Sequence, residues 1–540
     1  GDTKPALLLV TLAAALLLVI TCVNVANLVL VRAVGRVREM VVRTALGAAR
    51  GRIVAQLLTE SALLSIAGGL LGMGLAIAAV RTFVTLAPPG LPRLDEVAVN
   101  GSALLAAVLI TTVATLLSGL GPAILTSRVA GSDVLRSGIR HTGGRRVRAA
   151  AEALVVAQIA LAAVSLTAAA LVTKSLVELQ QANLSFEPDQ LLVAGLAFQQ
   201  AQLPDPRRQL AALDLVLTTT AALPGVRGVT PVLSVPFSGA GAGVDGRLSS
   251  AEQSPEETAA NPVLNMEAVE PNYFAMLGIP MLRGRAFRDD DRAGAMPVVI
   301  VSSSVARHFW PGADAIGKRL ITSDREFTVV GLVPDTRYRE LKTERPTVYF
   351  PLRQSPFPQV VPSTLLIRTT GSPARAVPTL RRAIVGASPG VTLVSASSLD
   401  ALLDTQHAQP RLNAVVLALF ATTAVALAAI GLFAVIASMV RQRTHELGIR
   451  MALGATGGDV CTMVMARGLV LAIAGAGIGI AGALATSRLL SRLLFGVRAT
   501  DGPTLLAVAA SMLGVAAIAC FVPARMSMRI DPIIALRREA

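Results

Sequence analysis

Aromatic side chains are scarce in this 540-residue chain: phenylalanine, tyrosine and tryptophan together make 3% of it, with one tryptophan and three tyrosines. That scarcity removes the stacking platforms on which proteins hold single-stranded nucleic acid. Charge is scarce too, at 15% of residues, where soluble domains carry about 25%. The three cysteines, Cys22, Cys461 and Cys520, form no CxxC pair and offer no disulfide framework for a secreted domain. Four histidines, His141, His308, His407 and His445, are too scattered to build a metal cluster, and no Ser/His/Asp or paired-carboxylate constellation stands out. What the chain has instead is apolar length: 53% of residues are hydrophobic and the mean hydropathy is +0.62. The expectation is a lipid-embedded protein without a catalytic, cofactor or metal site.

The net charge of +15 would suit nucleic acid, but its distribution argues otherwise. Residues 178–410 hold 21 Lys and Arg against 22 Asp and Glu, whereas the remainder holds 28 basic and 12 acidic residues. The surplus therefore flanks the apolar segments, where Lys and Arg anchor membrane helices on the cytoplasmic side. No nucleic-acid partner is expected.

A helix crossing the hydrocarbon core needs roughly 20 apolar residues. Seven uncharged windows qualify, at 6–31, 61–80, 101–127, 153–173, 412–440, 468–487 and 502–522. Arginines follow the first, third, fifth and seventh windows: Arg32 to Arg52, Arg128 to Arg148, Arg441 to Arg450 and Arg525 to Arg538. The positive-inside rule puts these in the cytoplasm and 178–410 outside; Arg488, Arg492 and Arg498 are the one dissent. The second and sixth windows carry glycine at four-residue spacing, Gly68 and Gly72, Gly475 and Gly479, which lets helix backbones approach closely in lipid.

The outside block reads as α+β. A strand over 191–197, an amphipathic helix over 207–222 and a strand over 227–235 recur in kind as 364–369, 374–387 and 391–395. Between these βαβ-like halves lies a β-rich insert with strand-like runs at 298–302, 327–333 and 348–350, bounded by Pro and Gly.

An internal repeat carries the strongest signal. Residues 38–48, Arg-Glu-Met-Val-Val-Arg-Thr-Ala-Leu-Gly-Ala, follow the first window, and residues 445–455, His-Glu-Leu-Gly-Ile-Arg-Met-Ala-Leu-Gly-Ala, follow the fifth at an offset of 407. Pro122-Ala123 leading to Leu135-Arg136 recurs as Pro523-Ala524 leading to Leu536-Arg537, at an offset of 401. The first three windows thus duplicate the last three. Each repeated segment predicts a short amphipathic helix on the cytoplasmic side. Glu39 and Arg43, like Glu446 and Arg450, stand four apart on one face, and Gly47 or Gly454 ends the helix. Anchoring by arginine demands no acid, leucine and glycine in fixed register twice, so Glu39, Arg43, Leu46, Gly47, Glu446, Arg450, Leu453 and Gly454 are the candidate docking residues for a cytoplasmic partner.

These segments resemble the coupling-helix region of FtsX-like permeases. The outside block resembles the periplasmic core domain of MacB-like proteins, through Val269-Glu270-Pro271-Asn272-Tyr273-Phe274, Leu277-Gly278-Ile279-Pro280, Phe309-Trp310-Pro311-Gly312, Ile316-Gly317-Lys318-Arg319-Leu320 and Val348-Tyr349-Phe350-Pro351-Leu352. The duplication is similar to the tandem permeases of acidobacteria, whose halves each carry an outside block and a preceding span. Their absence from the first half here leads us to expect an N-terminally truncated chain.

The resemblance implies a polytopic inner-membrane protein of about seven helices with one α+β periplasmic domain. Its expected parts are an FtsX-like domain over 1–148, a helix over 149–177, a MacB-like periplasmic core over 178–410 and a second FtsX-like domain over 411–540. It also implies a separate cytoplasmic ABC ATPase as partner, with a periplasmic adaptor or outer-membrane channel as further companions, and mechanotransmission of ATPase closure to the periplasmic domain. The cargo class implied is antibiotic, peptide or lipid-linked. A scaffold that regulates a periplasmic enzyme or an antibiotic response is the alternative; a membrane-embedded enzyme would need a nucleophile or metal constellation.

Three motifs are decoys. Gly312-Ala313-Asp314-Ala315-Ile316-Gly317-Lys318-Arg319 nearly spells a phosphate-binding loop, but Arg319 replaces the Ser or Thr that holds magnesium. Gly477-Ile478-Gly479-Ile480-Ala481-Gly482 matches GxGxxG inside a membrane window. Asp289-Asp290-Asp291 lacks the spaced ligands of a calcium loop.

Overall fold

The computed structural model describes residues 3–35, 50–86, 98–129, 143–239, 243–322, 325–486 and 494–528. The chain divides into two units, one made of Gly1–Glu178 with Gln409–Ala540 and the other of Leu179–Ala408.

Helices underlie all seven apolar windows, the sixth as far as Ala485. They are α1 (Thr3–Gly35), α2 (Arg50–Leu86), α3 (Gly101–Val129) and α4 (Gly143–Gln180), and then, beyond α5 (Pro206–Ala221) and α6 (Pro373–Ala387) of the other unit, α7 (Leu399–Gln442), α9 (Gly457–Ala485) and α10 (Gly502–Ser527). The short α8 (Thr444–Ala452) stands between α7 and α9. Among the described residues, six helices are long and apolar enough to cross a membrane; α3 adds a shorter apolar stretch, Gly101–Leu116.

In lipid a helix gains nothing by hiding leucine, so close packing falls to small residues. The interior of the membrane unit shows this: Ala162 and Ala163 of α4, Ala424 and Ala428 of α7, and Ala472 and Ala476 of α9 are all buried in one cluster with Ile20 and Leu30 of α1. Gly475 and Gly479 of α9 press against α4. A Cβ on Gly479 would lie 2.5 Å from the Ala160 carbonyl oxygen, and one on Gly475 would lie 2.7 Å from Ile159 Cβ. Ion pairs link α4 to the same neighbours: Arg467 Nη2 of α9 meets Glu152 Oε2 at 2.6 Å, and Lys174 Nζ meets Asp501 Oδ1, just before α10, at 2.9 Å. On α2, Leu63, Leu64, Leu70, Leu71 and Leu75 face outward instead, the last two each 72% exposed.

The second unit contains two sheets. Strands β1 (Leu191–Phe198) and β2 (Val226–Val232) open it, and β11 (Thr364–Thr369) and β12 (Val391–Ser398) close it. The two expected βαβ halves do not form separate layers. They interleave into one sheet of order β12-β1-β11-β2, in which every neighbouring pair is antiparallel. This is the split βαβ arrangement, and α5 and α6 cover it through Leu213 and Val216, Leu380 and Ile384. Asp205 caps α5, its carboxylate accepting from Arg208 N at 2.9 Å, with Pro206 in the first turn.

The insert forms the second sheet. It comprises β3 (Val244–Gly246), β4 (Ser249–Ser250), β5 (Leu264–Val269), β6 (Arg283–Gly284), β7 (Val298–Ser302), β8 (Arg319–Thr322), β9 (Arg325–Val333) and β10 (Thr347–Pro351). Its order is β3-β5-β10-β7-β9-β8-β4, with β6 on β9. Every residue of β5, β7 and β10 is buried, as expected for central strands covered on both faces. Trp310 and Phe309 pack here with Phe327, Phe350 and Phe357.

Candidate docking site and family membership

Helix α8 is defined by sharp boundaries at both ends. Arg443, at φ −103° and ψ 13°, breaks the path of α7, and Thr444 turns its hydroxyl back to the Val440 and Arg441 carbonyls at 3.1 and 3.0 Å. Glu446 lies in the first turn and Arg450 in the last, so each charge faces the helix end of opposite partial charge. Arg450 Nη2 donates to Glu446 Oε1 at 2.8 Å, and Arg443 Nε stands 3.8 Å from the other oxygen. Both partners of the inner pair are close to half exposed, so this pair contributes about 0.3–0.5 kcal/mol. Its structural use is to orient the carboxylate and guanidinium along one face.

The far end closes by a pair of reciprocal bonds. Ala455 N donates to the Arg450 carbonyl at 3.0 Å and Gly454 N to the Met451 carbonyl at 3.1 Å, the Schellman pattern that needs a left-handed residue. Gly454 supplies it, at φ +104°. Thr456 then caps α9 at once in a reciprocal box with Asp459. Two caps back to back fix the reversal between α8 and α9.

The two faces of α8 differ. Leu447 is 3% exposed and packs in the core of the membrane unit. Leu453 is 83% exposed, and Ile449 is partly exposed. Leu453 thus stands exposed near the Glu446–Arg450 pair, while Leu447 is buried. The second repeat thus gathers all four of its candidate residues, Glu446, Arg450, Leu453 and Gly454, on one short helix and its cap. The first-repeat residues Glu39, Arg43, Leu46 and Gly47 lie outside the described residues.

The decoy motifs are occupied otherwise. Gly312 and Gly317 sit in turns with φ of +76° and +81°, and Lys318 pairs with Glu252 at 2.7 Å. Asp291 accepts both guanidinium nitrogens of Arg285, at 2.7 and 2.9 Å, and Arg288 N at 2.8 Å. Burial pushes the Asp291 carboxyl up, but these bonds outweigh it and hold it below the usual carboxylate range. Among the described residues no group of three or more His, Cys, Asp or Glu is placed to hold a metal.

Sequence reasoning missed two buried polar groups. In the outer unit, Glu267 on β5 is 1% exposed and accepts from Leu233 N, Ser234 N and the Ser234 hydroxyl at 2.7 to 3.0 Å. Burial raises its pKa to about 7 against the opposing pull of these bonds and of Arg339. Arg339 is itself buried, bonded to Asp245 and Asn265. In the membrane unit, Asn24, Asn27 and Gln158 are buried. Amides within a window without charge were the available signal.

A bundle of membrane-crossing helices and an α+β outer unit are the parts of a multi-pass inner-membrane protein with a periplasmic segment. The chain belongs to the FtsX/MacB-like permeases of ABC transporters: residues 153–398 match the MacB-like periplasmic core domain, and residues 11–130 and 418–532 match the FtsX-like permease C-terminal family. The macrolide export ATP-binding/permease protein MacB of Chromobacterium violaceum is 26% identical over 275 residues, covering 50% of this chain and 42% of that protein. The protein of the same name from Escherichia coli is 26% identical, covering 51% and 44%. The probable syringafactin export ATP-binding/permease protein SyfD of Pseudomonas syringae pv. tomato is 26% identical, covering 51% and 42%. The matches thus span less than half the length of these relatives. The periplasmic region of MacB from Actinobacillus actinomycetemcomitans aligns at 16% identity and a TM-score of 0.30, over 41% of this chain and 94% of that structure.

Proposed function

We propose that this chain is the force-transmitting permease of an ABC-type exporter. A separate cytoplasmic ABC ATPase docks on the face carrying Glu446, Arg450 and Leu453, and on its counterpart carrying Glu39, Arg43 and Leu46. Closure of the ATPase moves these short helices, and the membrane helices pass that movement to the periplasmic core. In this reading residues 1–148 and 411–540 are the two permease domains, 149–177 is a linking span, 178–410 is the periplasmic core, and ATP is hydrolysed in the partner. The cargo is an antibiotic, peptide or lipid-linked molecule, taken up on the periplasmic side. A periplasmic adaptor or an outer-membrane channel would complete the path.

The observation that carries this reading is the geometry of α8: Leu447 anchors it in the membrane unit, while Leu453, 83% exposed, points away beside a paired Glu and Arg. A helix held only by positive-inside anchoring needs neither the exposed leucine nor the closed glycine cap. The relatives named as ATP-binding/permease proteins support the pairing with an ATPase. Affinity purification of the full-length protein from membranes in mild detergent tests it. An ABC ATPase that co-purifies and whose turnover depends on this chain is the expected result. Recovery of a periplasmic hydrolase and no ATPase would support a regulatory scaffold instead.

A further inference from the structure

Asn24 and Asn27 of α1 and Gln158 of α4 are 5%, 0% and 0% exposed. The donors of Gln158 and Asn27 are used. Gln158 Nε2 donates to the Leu427 carbonyl at 2.7 Å, and Asn27 Nδ2 to the Gly431 carbonyl at 3.5 Å. Both acceptors belong to α7 and lie one turn apart. Gly431 is where the approach is tightest, because a Cβ there would overlap the Gln158 carboxamide. Their acceptors are not used: among the described residues, Asn24 Oδ1, Asn27 Oδ1 and Gln158 Oε1 have no hydrogen-bond partner. Turning either of the two bonded amides over would not help, since it would lose a bond to α7 and set an oxygen against a carbonyl. Asn24 and Asn27, three residues apart, share a face of α1, and Asn27 and Gln158 meet α7 at the same turn.

We propose that these three carboxamide oxygens form a water-binding site inside the membrane unit, where water bridges Asn24 and Asn27 of α1 to Gln158 of α4 beside Gly431 of α7. Three buried acceptors without donors call for a species that brings hydrogens, and each water brings two. The windows 6–31, 153–173 and 412–440 contain no Asp, Glu, Lys or Arg, so a bound cation would stand uncompensated and neutral water fits better. The site joins α1 of the first repeat to α7 of the second and to α4, which stands between the repeats. Bridging waters exchange partners at little cost, so they make this contact a joint that can shift without leaving polar groups bare.

The test uses the full chain in nanodiscs, read by thermal unfolding. No hydrogen bond joins Asn24 to Gln158 directly, so independent sites would give additive losses. Asn24→Leu and Gln158→Met should each lower Tm, and the double variant should fall well short of the summed shifts, because either single change already releases the bridging water. Additive shifts would overturn the proposal. Replacing sodium and potassium by N-methylglucamine at constant ionic strength should leave the wild-type Tm unchanged; a drop would identify a cation as occupant and overturn it as well. Should a variant fail to insert, high-resolution density of the wild type decides. A peak within hydrogen-bond distance of two of the three oxygens supports the site, and direct amide contact with no peak refutes it.

Discussion

Gly475 and Gly479 of α9 have counterparts in Gly68 and Gly72 of α2 at the same offset of 407 that relates the docking segments. Their surroundings differ completely. The second pair is pressed against α4, where the Ala160 carbonyl and the Ile159 side chain leave no room for a Cβ, whereas a Cβ on Gly68 or Gly72 would meet nothing within 4 Å. A glycine pair in a membrane helix therefore states that close approach is allowed. Whether it is used depends on a neighbouring helix that the pair itself does not encode.

The comparison can be broken most directly by filling both sites. Gly479→Leu should destabilise the protein by about 3 kcal/mol, since the clash involves helix backbone rather than a mobile side-chain end. Gly72→Leu should stay within about 0.5 kcal/mol, as an exposed substitution does. Thermal unfolding of the two variants in one detergent checks this. An equal loss at Gly72 would show that its face is covered by a partner.

The same contrast of identity and surroundings separates two glutamates of the outer unit. Glu257 caps a short helix, accepts from Ser254, and its pKa is lowered. Glu267 is buried, and its pKa is raised to about 7 from 4.5. A raised carboxylate binds its proton more tightly in the folded state, so folding is favoured while the group is protonated. That contribution is complete below pH 4.5, is lost as pH rises towards 7, and is constant above. Its full size is roughly 3 kcal/mol, the free energy of moving the carboxyl pKa from 4.5 to about 7. Glu267→Gln should flatten stability against pH between 4.5 and 7; an unchanged slope would remove Glu267 as its source.

The smallest effect should come from the Lys174–Asp501 pair that joins α4 to the start of α10. Lys174 is 39% exposed, so Lys174→Met should cost about 0.5 kcal/mol. A loss several times larger would mean that this end of α4 is drier than its exposure indicates.

Much of the architecture was legible because it rests on local pattern. Uncharged windows gave the membrane helices, and short continuous apolar runs such as 298–302 gave the central strands. The repeat was legible as plain identity, and with it α8 and its glycine cap. Strand order was not. β1 pairs with β11 and β12 from the far end of the domain, and no local signal tells a split βαβ sheet from two separate halves. Buried polar partners were equally hidden: Asn27 meets Gly431 across 404 residues, and Glu267 meets Ser234 from another strand end. Burial decides the chemistry of these groups, and burial is a property of the assembled neighbours.

The central claim is that α8 docks the ATPase, and the turnover of the co-purified ATPase with Leu453→Asp or Glu446→Lys tests it most directly. Both side chains are exposed or half exposed, so neither change should disturb membrane insertion. The account predicts that permease-dependent ATP turnover falls to the level of the ATPase alone in each variant. Turnover equal to wild type in both, with the permease inserted normally, would contradict it.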